Sequence, residues 1–444
     1  MSKTPLARAV ALATLGASLT LPSLAQADFI GDSKATLELR NFYMNRDFRQ
    51  DLGQPNPPAV TGKTPTEYRS KSEEWAQGFL LRYESGYTEG TVGFGVDTIG
   101  TLGLRLDSGR GTSGTGLLQL DRETGKAQDS YGDFGVTAKA KISNSTLKLG
   151  TLMPKLPVVM ANDSRLLPQS FQGGWLNSAE ISGLNLDLGQ LNRVNQRDSS
   201  DHEVMLVTNS RNANTGAGGA RNITYRGGTT SDEFTFGGLN YKWNDSLTTS
   251  YHYGALDNFY KQHYLSAVHV LPLGDKQSLK SDLRFARSSD DGTSNVDNKA
   301  LGAMFTYSLG YQSFGLGYQK MSGDTGFAYI NGTDAFLVNF VQISDFAFKD
   351  ERSWQARYDY NFAGLGIPGL SLMTRYISGD NVDLGANRDE GKEWERDVDI
   401  SYVIQQGPLK NLGVRWRNAM VRSNASIGDL DENRLIVSYT IPLM

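Results

Sequence analysis

Apolar and polar side chains alternate one by one over many short segments of this chain. A period of two places the apolar members on one face of a β-strand and the polar members on the other, whereas a helix would scatter the same residues around its axis. The pattern therefore predicts strands with one apolar and one charged face. It occurs in ATLELR (35–40), GFLLRYES (78–85), GVTAKAKI (135–142), SLKSDLRFA (278–286), SWQARYDY (353–360) and GVRWRN (413–418).

Clusters of Gly, Asn, Asp and Ser separate these segments almost to the end of the chain, which predicts an antiparallel all-β fold. A soluble β-sandwich has the same alternation, but three features favour a closed membrane barrel. The connections alternate between long and short, and the chain ends on an alternating segment, RLIVSYTIPLM (434–444). Aromatic residues also cluster near the ends of the apolar faces, as girdles at a membrane interface require: Phe42, Tyr43, Tyr241, Trp243, Tyr251, Tyr253, Trp354, Tyr358, Tyr360, Trp394 and Tyr402.

Composition narrows the class of protein further. Mean hydropathy is −0.41, and no run of about 18 apolar residues follows the first thirty positions, which excludes helical spans but not barrel strands of about ten residues. The chain has no cysteine and a formal net charge of −4. Disulfides and thiol chemistry are therefore excluded, and a nucleic-acid partner is disfavoured.

The first 27 residues have the pattern of an export signal. Lys3 and Arg8 precede an apolar stretch from Ala9 to about Leu24, and residues 25–27, Ala-Gln-Ala, match the pattern after which signal peptidases cut. We expect residues 28–444 to form one barrel domain, since no linker or shift in composition divides them. At roughly 20–25 residues per strand and connection, this length predicts about 16–20 strands, enough to enclose an aqueous channel.

The start of that domain, DFIGDSKATLELRNFYMNRDF (28–48), resembles the mature N-terminus of the OprD-type substrate-specific outer-membrane porins of pseudomonads. Four more stretches are similar to that family: 156–175, 253–265, 353–380 and 432–444. The resemblance implies a closed antiparallel transmembrane β-barrel of 18 strands, monomeric or weakly trimeric, among the lipid and lipopolysaccharide of a Gram-negative outer membrane. It also implies a narrow, basic pore that takes up small carboxylate-bearing solutes, such as organic or aromatic acids or amino acids.

Basic side chains recur on the faces that such a barrel turns inward. Guanidinium groups bind carboxylates in a bidentate manner, and a low-dielectric wall raises the local concentration of anions. Several weak sites in succession permit permeation, whereas one tight site would trap the solute. We expect fewer carboxylates than basic groups on these inward faces. The ladder predicted in this way consists of Arg40, Arg82, Lys139, Lys141, Arg284, Arg357, Arg375, Arg415 and Arg417.

Residues 153–177 are expected to narrow the pore. They break the alternation and carry three prolines, and by the count of strands they form the third long loop, which folds inward in large porins. The resemblance assigns this loop the same role, and an ordinary outside loop is the alternative. We expect four consecutive residues at the constriction: Asn162, Asp163, Ser164 and Arg165.

A second segment, 333–346, resembles the other pore-narrowing region of the family, roughly its seventh long loop. Asp334 and Asp345 are expected to form an acidic wall opposite the ladder. Phe340 and Ile343 stand where relatives selective for basic amino acids carry Ser and Tyr. The loss of those hydroxyl groups disfavours basic amino acids and favours simple anionic or aromatic carboxylates.

Two other functions fit the pattern less well. A general diffusion porin would use the same charges only to bias ion flow. An outer-membrane barrel hydrolase would need an acid–base set at one rim, and neither a nucleophile elbow nor metal-ligand spacing accompanies the four histidines. GRGTSG (109–114) formally matches a dinucleotide-binding motif but precedes no helical pattern. We therefore expect no enzyme activity, no catalytic residues, no cofactor and no metal site.

Overall fold

The computed structural model describes residues 29–49, 70–109, 111–121, 123–207, 221–226, 228, 230–385, 389–425 and 428–444. The predicted export signal lies outside these residues. The described strands form one closed antiparallel barrel, which confirms the predicted fold class. No helix of the described residues is long and apolar enough to cross a membrane. The 18 barrel strands are β1 (Lys34–Phe48), β2 (Lys71–Glu84), β3 (Gly93–Asp107), β4 (Ser130–Ile142), β5 (Ser145–Leu152), β6 (Ser170–Ser178), β7 (Leu184–Asn195), β8 (Phe234–Lys242), β9 (Leu247–Leu256), β10 (Tyr260–Gly274), β11 (Gln277–Asp290), β12 (Asp297–Leu309), β13 (Gln312–Ser322), β14 (Arg352–Asn361), β15 (Leu370–Val382), β16 (Gly391–Val403), β17 (Gly413–Ser423) and β18 (Leu430–Pro442).

The barrel closes between its first and last strands. β1 pairs with β18 from Thr36 opposite Pro442 to Phe48 opposite Leu430, and with β2 on its other side. Closure leaves no unpaired sheet edge, which a membrane would not tolerate. Connections from odd-numbered to even-numbered strands lie at one end and include the longest ones, whereas the opposite end has turns as short as 143–144 and 275–276. In outer-membrane barrels the short-turn end faces the periplasm.

The apolar faces point outward along the strands. Leu283, Leu316 and Trp416 are 45%, 67% and 40% exposed, as expected of side chains that contact lipid. Trp243, Trp354 and Tyr402 are exposed as well, in agreement with the predicted girdle. Phe42 was also expected in that girdle, and this prediction is wrong. It points into the barrel and is only 1% exposed, because apolar side chains of inward-folded loops cover it.

Two loops fold into the barrel and partly fill it. The third connection at the long-loop end, L3 (153–169), contributes Leu166 and Leu167 to an apolar cluster with Phe42 and Leu80 of the wall. The seventh, L7 (323–351), contributes Phe327 and other apolar side chains to a larger cluster. That cluster also contains residues of L3 and of the nine strands from β5 to β13. The apolar core therefore lies inside the barrel, between these loops and the wall. The predicted loop 153–177 was too long at its end, since Ser170 already begins β6.

Pairs of glycines on neighbouring strands form shallow sockets for these loops. A Cβ atom at Gly78 of β2 or Gly103 of β3 would lie 3.1 or 3.0 Å from the side chain of Leu166 in L3. A Cβ atom at Gly302 of β12 or Gly317 of β13 would lie 2.7 or 3.2 Å from that of Val338 in L7. The absence of side chains on the wall lets each loop approach the sheet closely.

Substitution of one residue on each face tests the orientation of the strands. Leu316→Arg would place a charge on the lipid face near the middle of β13, at a cost of about 2–4 kcal/mol if it lies at the bilayer midplane. Thr306→Arg, on the inner face of the neighbouring β12, should leave stability nearly unchanged. Urea unfolding of both variants in lipid vesicles measures the difference. Equal destabilisation would show that the faces are assigned incorrectly.

Candidate solute pathway

Seven inward arginines occupy one continuous sector of the wall. They lie on β14, β15, β17, β18, β1 and β2, and the last three of these strands are neighbours because the barrel closes there. The alternation of the strands brings them to the inner face, since each shares its face with buried polar residues. Six belong to the predicted ladder, and Arg434 joins them: Arg357, Arg375, Arg415, Arg417, Arg434, Arg40 and Arg82.

The other three predicted members of the ladder lie elsewhere. Lys139 on β4 is buried at the short-turn end, where its Nζ donates to the carbonyl of Ser85 at 2.7 Å. Lys141 lies beside it, 5.7 Å from the ring of Tyr87, and both lysines line a separate cavity near the turn 85–92. Arg284 on β11 stacks on Phe336 of L7, 3.9 Å from the ring centroid, and so supports that loop.

The basic groups of the wall are paired with carboxylates, and Glu38 and Asp399 each serve two arginines. Eight of the nine predicted ladder residues form ion pairs, with Glu38, Asp97, Asp282, Asp359, Asp397 or Asp399. Several partners stand two positions apart on one strand, as in Arg357–Asp359 at 2.7 Å and Arg284–Asp282 at 2.8 Å. A strand places such residues on the same face. Each guanidinium is therefore held in place and partly neutralised, which weakens its hold on any one solute.

L3, L7 and the wall line a cavity of about 480 Å³, which we call the eyelet. Asn162, Ser164 and Arg165 of the predicted constriction line it, as do both predicted acidic residues, Asp334 and Asp345. The fourth constriction residue, Asp163, lies beside it and accepts a hydrogen bond from Arg40 at 2.7 Å. The lining contains five arginines: Arg165, Arg197, Arg375, Arg417 and Arg434.

Arg434 and its partner Glu432 join both loops to the wall. Glu432 is fully buried and accepts hydrogen bonds from Arg434 at 2.5 Å, from Arg46 at 2.7 Å and from the side chain of Gln342 in L7 at 3.0 Å. Arg434 also donates to the carbonyls of Ser164 in L3, at 3.3 Å, and of Gln342, at 3.2 Å. One buried ion pair on β18 thus positions the two loops relative to each other.

Two further anchors of L7 are carboxylates that sequence reasoning missed. Glu395 of β16 accepts from the backbone N–H groups of Ile343 and Ser344, at 3.0 and 2.7 Å. Glu393, two positions earlier, accepts from the hydroxyl of Ser344 at 3.3 Å. L3 and L7 also contact each other, since Asn162 donates to Asp334. The sequence EWERDVD (393–399) could have indicated these anchors, because its alternation places four acidic side chains on one face of the strand.

Arg415 and Arg417 lie in different parts of the pathway although they are two positions apart. Arg417 lines the eyelet, whereas Arg415 lines a second cavity toward the short-turn end together with Arg357. Asp399 lies between them and pairs with both arginines.

Protonation of Glu351, at the end of L7, is linked to the docking of this loop against the barrel wall. Its carboxyl accepts from the N–H of Phe348 at 3.0 Å and lies against that of Glu393, with Asp345 and Arg221 nearby. Burial is the main cause that raises the pKa of Glu351 to about 7, and the charge of Asp345 adds to it, whereas the hydrogen bonds with Phe348 and Glu393 act in the opposite direction. One oxygen of Glu351 and one of Glu393 have no donor, a deficit that a proton shared between them would remove.

The docking of L7 against the barrel wall should therefore weaken as the pH rises. A raised pKa means that Glu351 binds its proton more tightly when the loop is docked than when it is free. Protonation therefore stabilises the docked loop fully below about pH 4.5, and this stabilisation is lost as the pH rises through about 7. We expect brief current fluctuations of single channels to increase over this interval, and Glu351→Gln to remove the increase. Asp324→Asn, an exposed acid in the same loop, is the control. An unchanged pH dependence in Glu351→Gln would contradict the assignment.

Filling the L7 socket should widen the eyelet. In Gly302→Val the new side chain overlaps Val338, and overpacking of this kind costs about 1–3 kcal/mol. Because the wall is continuous sheet and L7 is a loop, we expect the loop to move. Single-channel conductance should rise and selectivity among solutes should fall, while a second substitution, Val338→Gly, should restore both. Unchanged conductance in Gly302→Val would show that L7 does not set the width.

Comparisons with known proteins agree with this geometry. A family model described as outer membrane porin, OprD family, matches residues 27–443. The porin-like protein GalP of Pseudomonas putida is 38% identical over 437 residues, covering 97% of each chain. The crystal structure of Pseudomonas aeruginosa OpdQ has 65% identity and a TM-score of 0.83, over 94% of this chain and 100% of that one. Pseudomonas aeruginosa OpdK with vanillate has 36% identity and a TM-score of 0.80, over 93% and 100%. The chain therefore belongs to the OprD family of substrate-specific porins of the outer membrane.

Proposed function

We infer that this porin mediates facilitated diffusion of small carboxylate-bearing solutes. The single observation that carries this inference is the lining of the eyelet, where five arginines face two aspartates across about 480 Å³. Below it, Arg415 and Arg357 line the next cavity, so that basic groups continue toward the short-turn end. A row of individually weak cationic sites favours anions and still lets them leave. No catalytic role is proposed, since the relatives are porins.

The loop side of the eyelet favours anionic or aromatic carboxylates over basic amino acids. Phe340 and Ile343 contribute apolar surface to the lining, where hydroxyl groups would have helped to hold a cationic group. Asp345, which could attract a cation, already pairs with Arg221 and accepts the hydroxyl of Tyr329 at 2.6 Å. The crystal structure of the relative OpdK contains vanillate, an aromatic carboxylate. We propose that the porin is a monomer or a weak homotrimer.

Liposome swelling with the purified barrel tests this function. The panel compares solutes of matched size: a neutral sugar, a neutral amino acid, a basic amino acid and an aromatic carboxylate. We expect the aromatic carboxylate to enter well ahead of the sugar and of the basic amino acid. Equal rates for all four would identify a general diffusion porin instead.

Substitution of the two arginines on β17 should reduce carboxylate entry and spare the sugar. Arg415→Ala together with Arg417→Ala also leaves Asp399 without a cation, and the exposed negative charge would repel anions. The matched control therefore adds Asp399→Asn, which removes that charge. We expect the double variant to transport carboxylates more slowly than the triple variant, and the triple more slowly than the unmodified porin. Equal loss of sugar entry in the double variant would indicate collapse of the pore.

A further inference from the structure

Two arginines of the eyelet converge on one hydroxyl group without a carboxylate partner. Arg165 of L3 and Arg197, which follows β7, each approach Oγ of Ser164 with Nη1, at 3.2 and 3.3 Å. That hydroxyl group donates to Asn162 at 2.8 Å, so its donor and both of its acceptor positions are occupied. In the described part of the chain, no carboxylate oxygen lies within 4.0 Å of either guanidinium. We call Arg165, Arg197 and Ser164 the loop cluster.

Arg165 is the more deeply enclosed of the two arginines. It is 5% exposed, and its Nε has no hydrogen-bond partner. Burial first, and the charges of Arg434 and Arg197 next, lower the pKa of its guanidinium. Two cations held this close repel each other, and Asp198 and Asp334 attract Arg197 without forming an ion pair with it. A buried charge without a direct partner is costly. The loop cluster therefore has the composition of an anion site that the chain itself leaves unfilled.

The wall arginines on the other side of the eyelet share too few carboxylates. Glu432 serves both Arg434 and Arg46, and Asp399 serves both Arg417 and Arg415. Of the two aspartates in the lining, Asp345 is paired with Arg221. The lining of the cavity contains five arginines and two aspartates, Asp334 and Asp345, so positive charge exceeds negative charge there.

We propose that the eyelet of this porin prefers solutes with two carboxylate groups, one held by Arg165 and Arg197 of the loop side and the other by Arg417 of the wall side. This inference rests on the proposed function and narrows it to a class of substrate. The two arginine groups line the same cavity of about 480 Å³, so a short dicarboxylate contacts both. Phe340 and Ile343 in the same lining lie beside the carbon chain that joins the two carboxylates. Release remains possible because Arg417 returns to Asp399, which it shares with Arg415.

Three solutes with one carbon skeleton test the preference. Succinate, succinamate and succinamide carry two, one and no carboxylates at neutral pH and are nearly equal in size. We expect uptake into proteoliposomes to be several-fold faster for succinate than for succinamate, and faster for succinamate than for succinamide. Succinate and succinamate entering equally, both ahead of succinamide, would overturn the dicarboxylate preference and leave the proposed function intact. Equal entry of all three would overturn both.

Two variants locate the preference in the loop cluster. In Arg165→Gln with Arg197→Gln, the advantage of succinate over succinamate should disappear, while succinamate should remain ahead of succinamide because the wall arginines persist. Arg197→Gln alone, at the more exposed of the two positions, should remove part of the advantage without disturbing L3. Lys242→Gln removes the same charge from an exposed ion pair at the short-turn end and is the control. An undiminished succinate advantage in a double variant that folds normally would place the preference outside the loop cluster.

Discussion

The buried pair of Glu432 and Arg434 is the constraint on which the shape of the pathway depends. It ties β18 to β1 through Arg46 and holds L3 and L7 through hydrogen bonds to their backbones and to Gln342. Removing one member of such a pair leaves an uncompensated buried charge, which typically costs about 3–5 kcal/mol. Apolar contacts press the loops against the wall, but they are not directional. The ion pair fixes where the loops stop, and therefore where the eyelet lies.

The same chemistry suits the proposed passage of carboxylates, which the pathway must attract without retaining. Each wall arginine is oriented by a carboxylate of its own strand or of the neighbouring one, so it needs no reorganisation when a solute arrives. Binding of a solute carboxylate replaces an existing partner rather than filling an empty site, and the net gain is small. Arg165 and Arg197 differ in this respect, because the described chain offers them only Ser164 and neighbouring backbone.

Alternation of side chains predicted the strands and the inward face of each ladder strand, and the aromatic girdle and the pattern of connections favoured a barrel. A break in the alternation indicated L3, whereas L7 was expected only from the resemblance to the OprD family. Pairs such as Arg357–Asp359 were also visible in principle, since residues two apart on a strand share a face. The sequence could not reveal contacts between distant loops. Asn162 meets Asp334 across 172 positions, and Arg197 meets Ser164 only because two connections fold into one lumen. Phe42 was misplaced for the same reason, since strand periodicity does not show which part of an inner face a loop will cover.

The glycine sockets separate the part of each loop that is seated from the part that faces the solute. Gly302 and Gly317 receive Val338, whereas residues 340–343 of the same loop line the eyelet. A socket made by missing side chains constrains the residue that enters it and little else. Residues that face the pore can therefore be changed without changing the residue that enters the socket or the sheet that forms it.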